Sequence, residues 1–303
     1  MRFFKKTNID FMGKRKIWYS ISGIILFTGL LAIIFKGPTL GIDFTGGTEL
    51  VLRFDEAPQI NELRNAMSEV GFPRSEIKTF GTKNDILIRT SETGVGGTVA
   101  ESIRNGLAQK FPDKAFKVLK EDKVGPRIGS ELKRDAIYAV ILTMLGIMVY
   151  VGFRFKFIYG VAGVIALLHD VLATFGIIVI LDGLGPYFNF ELSQNLMAAF
   201  LTLIGFSIND TVVIFDRIRE NEKIHRSESL PTLINRSVNE TLSRTIITSG
   251  TVFLVLIVLV IFGGEVNRGF ALTFFIGTIF GSYSTIYVAS SIVLDWSIKS
   301  AKK

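Results

Sequence analysis

The sequence contains no cysteine among its 303 residues, so it has neither disulfides nor thiolate metal sites. We predict no cofactor and no metal. A small-x-small cleavage site is also missing after the first apolar stretch, which is too long for a secretory signal and is expected to remain as a membrane span. What the chain has instead is apolar residues: they make up 49% of it, and the mean hydropathy is +0.43.

The apolar residues come in long blocks. A helix needs roughly 20 mostly apolar residues to cross a hydrocarbon core of about 30 Å. Six blocks are of this kind: Ile17–Phe35, Ala136–Phe153, Ile158–Leu181, Leu196–Phe215, Thr245–Phe262 and Phe270–Leu294. The sequence therefore predicts an α-helical polytopic membrane protein with six transmembrane helices.

The short connectors on one side are poor in Lys and Arg, whereas those on the other side are rich in them. The connector from Asp182 to Asn195 contains Asp182 and Glu191 but no base. Bases flank the opposite ends of the spans: Arg2, Lys5, Lys6, Lys14, Arg15, Lys16, Arg154, Lys156, Arg217, Arg219, Lys223, Arg226, Arg236, Lys299, Lys302 and Lys303. The positive-inside rule then places both termini in the cytoplasm. The net charge of +7 is a topology signal, and we expect no nucleic-acid partner.

The polar segment 36–135, between the first two spans, is expected to face the extracytoplasmic side. Its periodicity predicts the order βαββαβ. The elements are strand Glu49–Phe54, helix Gln59–Val70, strands Glu76–Gly81 and Asp85–Thr90, helix Thr98–Phe111 and strand Ala115–Val124. That order is typical of a ferredoxin-like α+β domain. The predicted organisation is a cytoplasmic N-terminus (1–16), a first transmembrane helix (17–35), this domain (36–135), a five-helix transmembrane domain (136–294) and a cytoplasmic tail (295–303).

The connector after the fourth span has its own pattern. Leu230, Leu233, Ile234, Val238 and Leu242 recur at helical spacing with polar residues between them. This predicts a cytoplasmic amphipathic helix near 229–243 that lies along the membrane surface before turning into the fifth span.

Ionisable side chains inside a span are costly and indicate function. Asp210 in the fourth span lies six residues before Asp216, which is roughly 9 Å from the cytoplasmic interface at about 1.5 Å per residue. Desolvation disfavours its charged form, so the carboxyl is suited to take up and release a proton. Alternatively, Asp210 is a permanently hydrogen-bonded packing residue, assisted by Ser207 and Asn209.

Three further residues are candidates. Arg244 lies at the inner end of the fifth span, on the same side as Asp210, and could pair with it; alternatively it is a snorkelling anchor. Asp170, near the middle of the third span, is kept in reserve as a second proton-relay residue. His169 beside it is interpreted as a hydrogen-bond partner or a packed neutral imidazole.

A glycine-rich segment follows the first span. Gly41, Asp43, Gly46 and Gly47 belong to GIDFTGGT, which lacks the Gly-Lys-Ser/Thr ending of a phosphate loop. We interpret these four residues as a structural motif, a tight turn that feeds an edge strand.

Four stretches together resemble the SecF proteins of the SecD/SecF family, within the resistance-nodulation-division (RND) superfamily. They are GIDFTGGTEL at 41–50, HDV at 169–171, GFSINDTVVIFDRIREN at 205–221 and TLSRTIITSG at 241–250. The resemblance covers essentially the whole chain. It implies one half of a transporter of the bacterial inner membrane, with SecD as the other half. By motif, the family's intramembrane acid and arginine fall on Asp210 and Arg244.

The resemblance further implies an accessory transporter subunit rather than an enzyme. Such a subunit uses the proton-motive force to assist translocation of unfolded polypeptides through the SecYEG channel on the extracytoplasmic side. The implied partners are a SecD-like subunit, SecYEG, the translocating polypeptide, membrane lipids and protons. The sequence itself contains no second copy of the domain-plus-spans unit, so a two-half transporter needs another chain.

Two other functions stay open. One is a non-catalytic membrane scaffold that links SecD to the channel. The other is an intramembrane aspartyl protease built on Asp170 and Asp210, because two such carboxyls can share a proton. The Gly-x-Gly-Asp context of such proteases is missing at both positions.

Overall fold

The computed structural model describes residues 7–94, 98–185 and 188–301, in two compact units. The membrane unit comprises Met1–Gly37, Tyr138–Leu181 and Leu196–Lys303, and the head unit comprises Pro38–Ile137 and Asp182–Asn195. The bases predicted at the two extreme ends, Arg2, Lys5, Lys6, Lys302 and Lys303, lie outside the described residues.

A short α+β insertion stands between the first long apolar helix and the remaining long helices. In chain order they are α1 (Arg15–Phe35), α2 (Ile42–Thr45), β1 (Gly47–Phe54), α3 (Ile60–Glu69), β2 (Glu76–Phe80), β3 (Thr82–Thr90), α4 (Thr98–Lys110), β4 (Phe116–Val124), α5 (Pro126–Arg154), α6 (Phe157–Leu181), α7 (Gln194–Ile224), α8 (Leu230–Phe262), α9 (Gly264–Ser284), a π-helical turn (Thr285–Ala289) and α10 (Ser290–Ala301).

Within the described residues, six helical segments are long and apolar enough to cross a membrane: α1, α5, α6, α7, α8 and the α9–α10 run. They differ in what covers them. About half of the apolar stretch is buried within the protein in α6, α7 and α9–α10, at 50%, 50% and 56%, against 11%, 11% and 17% in α1, α5 and α8. Apolar surface exposed to this extent suits contact with lipid, so α6, α7 and α9–α10 form the centre of the bundle.

Two of the long segments differ from the sequence prediction. The surface helix expected near 229–243 is not separate, because Leu230–Phe262 is one unbroken helix. No Gly or Pro lies between the amphipathic part and the apolar part to end the helix. In the sixth span, the helical hydrogen bonding widens into a π-helical turn at Thr285–Ala289.

The head unit contains a four-stranded antiparallel sheet in the order β2-β3-β1-β4. Helices α3 and α4 supply Leu63, Ile103 and Leu107 to a core shared with the strands, where Leu50 and Ile88 are fully buried. The expectation that the glycine motif feeds an edge strand is wrong. Strand β1 lies between β3 and β4, and seven of its eight residues are buried, as a central strand requires.

The connector Asp182–Asn195 belongs to the head unit, although the sequence analysis assigned it to the five-helix domain. Its backbone pairs with the start of the head. The N–H of Leu192 donates to the carbonyl of Thr39 at 2.8 Å, and the N–H of Gly41 donates to the carbonyl of Leu192 at 2.9 Å. These long-range pairs satisfy backbone groups that a free loop would leave to water.

Candidate functional site

Helices α6, α7 and α9 place polar side chains at the centre of an otherwise apolar bundle. The buried polar residues of this region are His169, Asp170, Thr174, Ser207, Asp210, Thr211, Thr273, Thr278, Ser284 and Thr285. In a membrane span, such groups need partners within the protein, because lipid offers none.

Asp170 on α6 is completely buried, and both of its carboxylate oxygens are bonded. Ser207 on α7 donates to Oδ2 at 2.6 Å, and Ser284 at the end of α9 donates to the same oxygen at 2.9 Å. His169 Nδ1 lies 3.0 Å from Oδ1. The carboxyl thus connects three helices, and among the described residues no hydrogen bond joins it to Asp210.

His169 extends this network toward α1. Its Nε2 lies 2.7 Å from the hydroxyl of Tyr283, which in turn lies 2.8 Å from the hydroxyl of Ser22. The ring of Tyr283 also meets the imidazole edge-on, with centroids 5.4 Å apart. The sequence interpretation of His169 as a hydrogen-bond partner of Asp170 matches this geometry.

Asp210 on α7 is only 3% exposed, yet its Oδ2 has no hydrogen-bond partner within the described part of the chain. The two neighbours suggested as its helpers do not serve it. Ser207 donates to Asp170 instead, and Asn209 is exposed. The interpretation of Asp210 as a permanently hydrogen-bonded packing residue is therefore not supported by its surroundings.

Arg244 on α8 is exposed, and its positive charge acts on the Asp210 carboxyl. The two side chains do not form an ion pair, since no ion pair within 4.0 Å joins them among the described residues. From the sequence, these two residues were expected to lie on the same side of the membrane, where they could pair. The direct contact that the sequence suggested is not made in this structure.

Sequence reasoning missed the polar residues contributed by the sixth span. Thr285, the first residue of the π-helical turn, shares a 2.9 Å hydrogen bond with Thr211, which directly follows Asp210. π-helical turns inside α-helices occur often at functional sites. The available signal was the polar run from Ser282 to Thr285 within an otherwise apolar segment.

The glycine motif forms the short helix α2 and the entry to β1. Gly46 has a φ of +73°, and a Cβ there would lie 2.8 Å from Cα of Pro126, so no larger residue fits. The Oδ2 of Asp43 accepts a 2.8 Å hydrogen bond from the N–H of Gln194, the first residue of α7. The motif therefore satisfies an otherwise unpaired donor at the start of the helix that carries Asp210.

Comparison with known families finds two matches in this chain. The family model described as "Protein export membrane protein SecD/SecF, C-terminal" matches residues 104–299. The model described as "SecD/SecF GG Motif" matches residues 31–58, which include the glycine motif.

Full-length relatives are also found. The chain is 42% identical to a protein translocase subunit SecF of Rhodothermus marinus over 303 residues, covering 100% of this chain and 98% of the relative. It is 38% identical to the corresponding protein of Helicobacter pylori, covering 97% of this chain and 89% of that one.

A crystal structure of SecDF from Thermus thermophilus, described as a translocon-associated membrane protein, superposes with a TM-score of 0.84 at 37% identity. The match covers 96% of this chain but 39% of the SecDF chain, so this chain corresponds to less than half of that molecule. A second SecDF structure, in a super-membrane-facing form, matches with a TM-score of 0.72 at 36% identity, covering 99% of this chain and 40% of that one.

Proposed function

The chain belongs to the SecD/SecF family of protein-export membrane proteins, and from this premise we propose that it is the SecF-like half of a proton-driven export motor. It is a multi-pass membrane protein and a protein-export subunit. In the proposal, protonation and deprotonation of Asp210 drive the motor. The motor assists the passage of unfolded polypeptide through SecYEG on the extracytoplasmic side of the bacterial inner membrane.

One observation carries the choice of Asp210. It is a buried acid whose Oδ2 has no hydrogen-bond partner among the described residues, while Asp170 is bonded on both oxygens. An intramembrane acid that its own protein leaves unsatisfied is suited to exchange a proton, because neither protonation state is fixed by permanent partners. Arg244 then adjusts the balance between the two states through its positive charge.

The proposal also includes a SecD-like partner, a ferredoxin-like head and cytoplasmic termini. A SecD-like partner fits a chain that matches 39% of a SecDF molecule. The order β2-β3-β1-β4, with α3 and α4 joined to the strands in one core, supports a ferredoxin-like head. The distribution of bases supports cytoplasmic termini. Within the described chain no hydrogen bond joins Asp170 and Asp210, so the proposal does not include a protease dyad.

The decisive experiment replaces Asp210 with Asn in the complete complex with the SecD-like partner. Reconstituted in liposomes, the variant should show proton flux at the background of protein-free vesicles and no stimulation of export by a proton gradient. Asp210→Glu should retain part of both, since it keeps an ionisable group. Flux is followed with a pH-sensitive dye inside the vesicles, and export by protection of the translocated chain from protease.

The matched control is Asp216→Asn on the same helix. Asp216 is largely exposed and lies 3.8 Å from Arg154 in an ion pair, so its loss should leave flux and export unchanged. Normal flux in the Asp210→Asn complex would contradict the proposal. It would favour a non-catalytic scaffold, in which neither Asp210 nor Arg244 is needed.

A further inference from the structure

The face of the head sheet that points away from the helical core carries a row of charges. Glu49 on β1, Arg89 on β3 and Glu76 on β2 are directly opposite one another in the strand register. Arg89 donates to Glu49 at 2.7 Å and to Glu76 at 3.1 Å. Next to this row, Val51 and Leu87 are only 1% exposed although they face away from α3 and α4. Something other than those helices covers this face.

The connector between α6 and α7, here called the α6–α7 strap (Asp182–Asn195, with 186 and 187 outside the described residues), binds the charged side chains of this face. Its Glu191 forms ion pairs with both Arg89 and Lys78, and its Asn189 accepts a 2.9 Å hydrogen bond from Lys78. The side chains of Arg89 and Glu191 are 9% and 13% exposed. Phe190, which lies between Asn189 and Glu191 in the sequence, is 3% exposed. The strap is therefore held by buried charges rather than by surface ion pairs.

Opposite charges shift the pKa values of two groups in this row, Glu49 and Arg89, toward their ionised forms. Burial acts to raise the pKa of Glu49, but its hydrogen bond with Arg89 and the positive charge of Lys120 outweigh burial, and the pKa lies below its ordinary value. Burial likewise acts to lower the pKa of Arg89, but the negative charges of Glu191 and Glu49 outweigh it and raise that pKa. Glu49 and Arg89 therefore keep their charges at neutral pH.

Both ends of the strap are fixed as well. Asp182, directly after α6, accepts hydrogen bonds from the Thr39 hydroxyl at 2.7 Å and from the N–H of Phe190 at 2.8 Å. At the other end, Asp43 binds the N–H of Gln194, where α7 begins. The strap therefore has attachments to the head immediately after the helix that carries Asp170 and immediately before the helix that carries Asp210.

We propose that the α6–α7 strap couples the head to the proton site, and that Arg89 and Glu191 are the positioning residues of this coupling. The strap is bound to the head by buried ion pairs and near both of its ends, and the chain continues directly from it into α6 and α7, so a movement of the head is passed to these two helices through the strap. The inference rests on the proposed function, in which proton exchange at Asp210 performs work outside the membrane. Neither residue touches the proton; each acts by holding the strap.

The first test measures whether the strap is held. The chain has no cysteine, so nitroxide labels on Asn65→Cys in α3 and Leu184→Cys in the strap are its only labelled sites; complex labelled without these two substitutions gives the background from the partner. Both positions are exposed. Electron spin resonance on the full complex should give one narrow distance distribution. Glu191→Ala should broaden it, and Glu191→Gln should broaden it less. An unchanged distribution in Glu191→Ala would overturn the proposal.

The matched control is Glu121→Ala. Glu121 pairs with Arg104 at 3.4 Å within the head, and neither residue belongs to the strap. This variant loses a head ion pair without touching Glu191, so the distance distribution should stay narrow. Equal broadening by Glu121→Ala would mean that any loss of charge loosens the head, and would overturn the specific role of Glu191.

The second test separates coupling from proton exchange. Reconstituted Glu191→Ala complex should keep proton flux at the unmodified rate while export stimulation falls to the Asp210→Asn level. Loss of both activities, or retention of both, would overturn the strap as the coupling element. Failure of the proposed function has a different signature: Asp210→Asn would then keep its flux. The distance measurement tests the strap whatever the outcome at Asp210.

Discussion

The head unit and the membrane unit both bury acids, but they stabilise them in different ways. In the head, Glu49 and Glu191 face the cations Arg89, Lys78 and Lys120. In the membrane unit, Asp170 is bonded to two hydroxyls and an imidazole. Among the described residues the Oδ2 of Asp210 has no hydrogen-bond partner and no ion pair joins the carboxyl to Arg244, whose charge nevertheless acts on it.

The difference separates a fixed charge from an exchangeable one. A buried carboxylate among cations stays ionised, and removal of either partner leaves an uncompensated charge. A carboxyl without a partner in a medium of low polarity pays a desolvation cost when it is ionised, and when it is protonated its polar atoms lack hydrogen-bond partners. The head acids therefore hold structure in place, whereas Asp210 is poised to change its protonation state. Asp170 lies between these cases, because its partners are fixed but carry no formal charge unless His169 is protonated.

The largest effect on stability is expected from Asp170→Ala. A large loss of stability in this variant would show that Asp170 is a structural acid, like Glu49 and Glu191 of the head. The substitution leaves Ser207, Ser284 and His169 without their shared acceptor. We expect a loss of about 2 to 4 kcal/mol in the free energy of unfolding, from several hydrogen bonds of modest individual value in a membrane interior. The measurement is unfolding in mixed detergent micelles, followed by the fluorescence of the two tryptophans.

Asp170→Asn is the informative companion, since it keeps an acceptor for the two serines and should lose less. The control is Asp216→Ala, which removes an exposed carboxyl of α7. If Asp170→Ala lost no more stability than that control, Asp170 would not be the structural centre of the three helices, and its place in the comparison would have to change.

The next effect is the pH dependence of the head. Because Arg89 and Lys120 lower the pKa of Glu49 in the folded protein, its ionised form stabilises the head above the unfolded value of about 4.3. This contribution disappears as the pH falls through the lower folded pKa. Glu49→Gln should therefore destabilise the head by about 1 to 2 kcal/mol near neutral pH and by progressively less in acid.

Hydrogen exchange of the β1 and β3 amides, compared between the unmodified protein and Glu49→Gln at each pH, measures this difference in the stability of the head. The comparison at equal pH cancels the intrinsic pH dependence of exchange. A gap between the proteins that stayed constant from neutral pH into acid would show that the charge of Glu49 is not what stabilises the sheet. The head acids could then no longer be described as fixed charges that differ from Asp210 in this respect.

The fold was predictable where the signal is local. Hydrophobic length alone locates the six spans, and alternation locates the four strands of the head to within a few residues. Two predictions failed for lack of a local signal. An amphipathic stretch and an apolar stretch fuse into α8 because nothing between them ends a helix. The glycine motif leads into a central strand, and a strand's neighbours are set by tertiary pairing that its own sequence does not contain.

The candidate site was predictable only in part, for the same reason. Asp210, Arg244 and Asp170 are found because charge inside an apolar block is a local signal. The partners that distinguish the two acids come from other helices: Ser207 and Ser284 are 37 and 114 residues from Asp170. The attachment of the strap to the head sheet could not be predicted, because Arg89 and Glu191 are separated by 102 residues and neither stands out in its own segment.

The smallest effect on stability, and the sharpest test of the comparison, is expected from Asp210→Leu. Replacing an unsatisfied buried acid with an apolar side chain of similar size removes a desolvation cost and breaks no hydrogen bond at Oδ2. The free energy of unfolding should stay within about 0.5 kcal/mol of the unmodified protein or rise slightly, while proton flux falls to the background of protein-free vesicles. Unfolding in mixed micelles and dye-monitored flux on the same preparation measure the two quantities together. A large loss of stability would mean that Asp210 has structural partners as Asp170 does, and the distinction between a held acid and an available one would collapse.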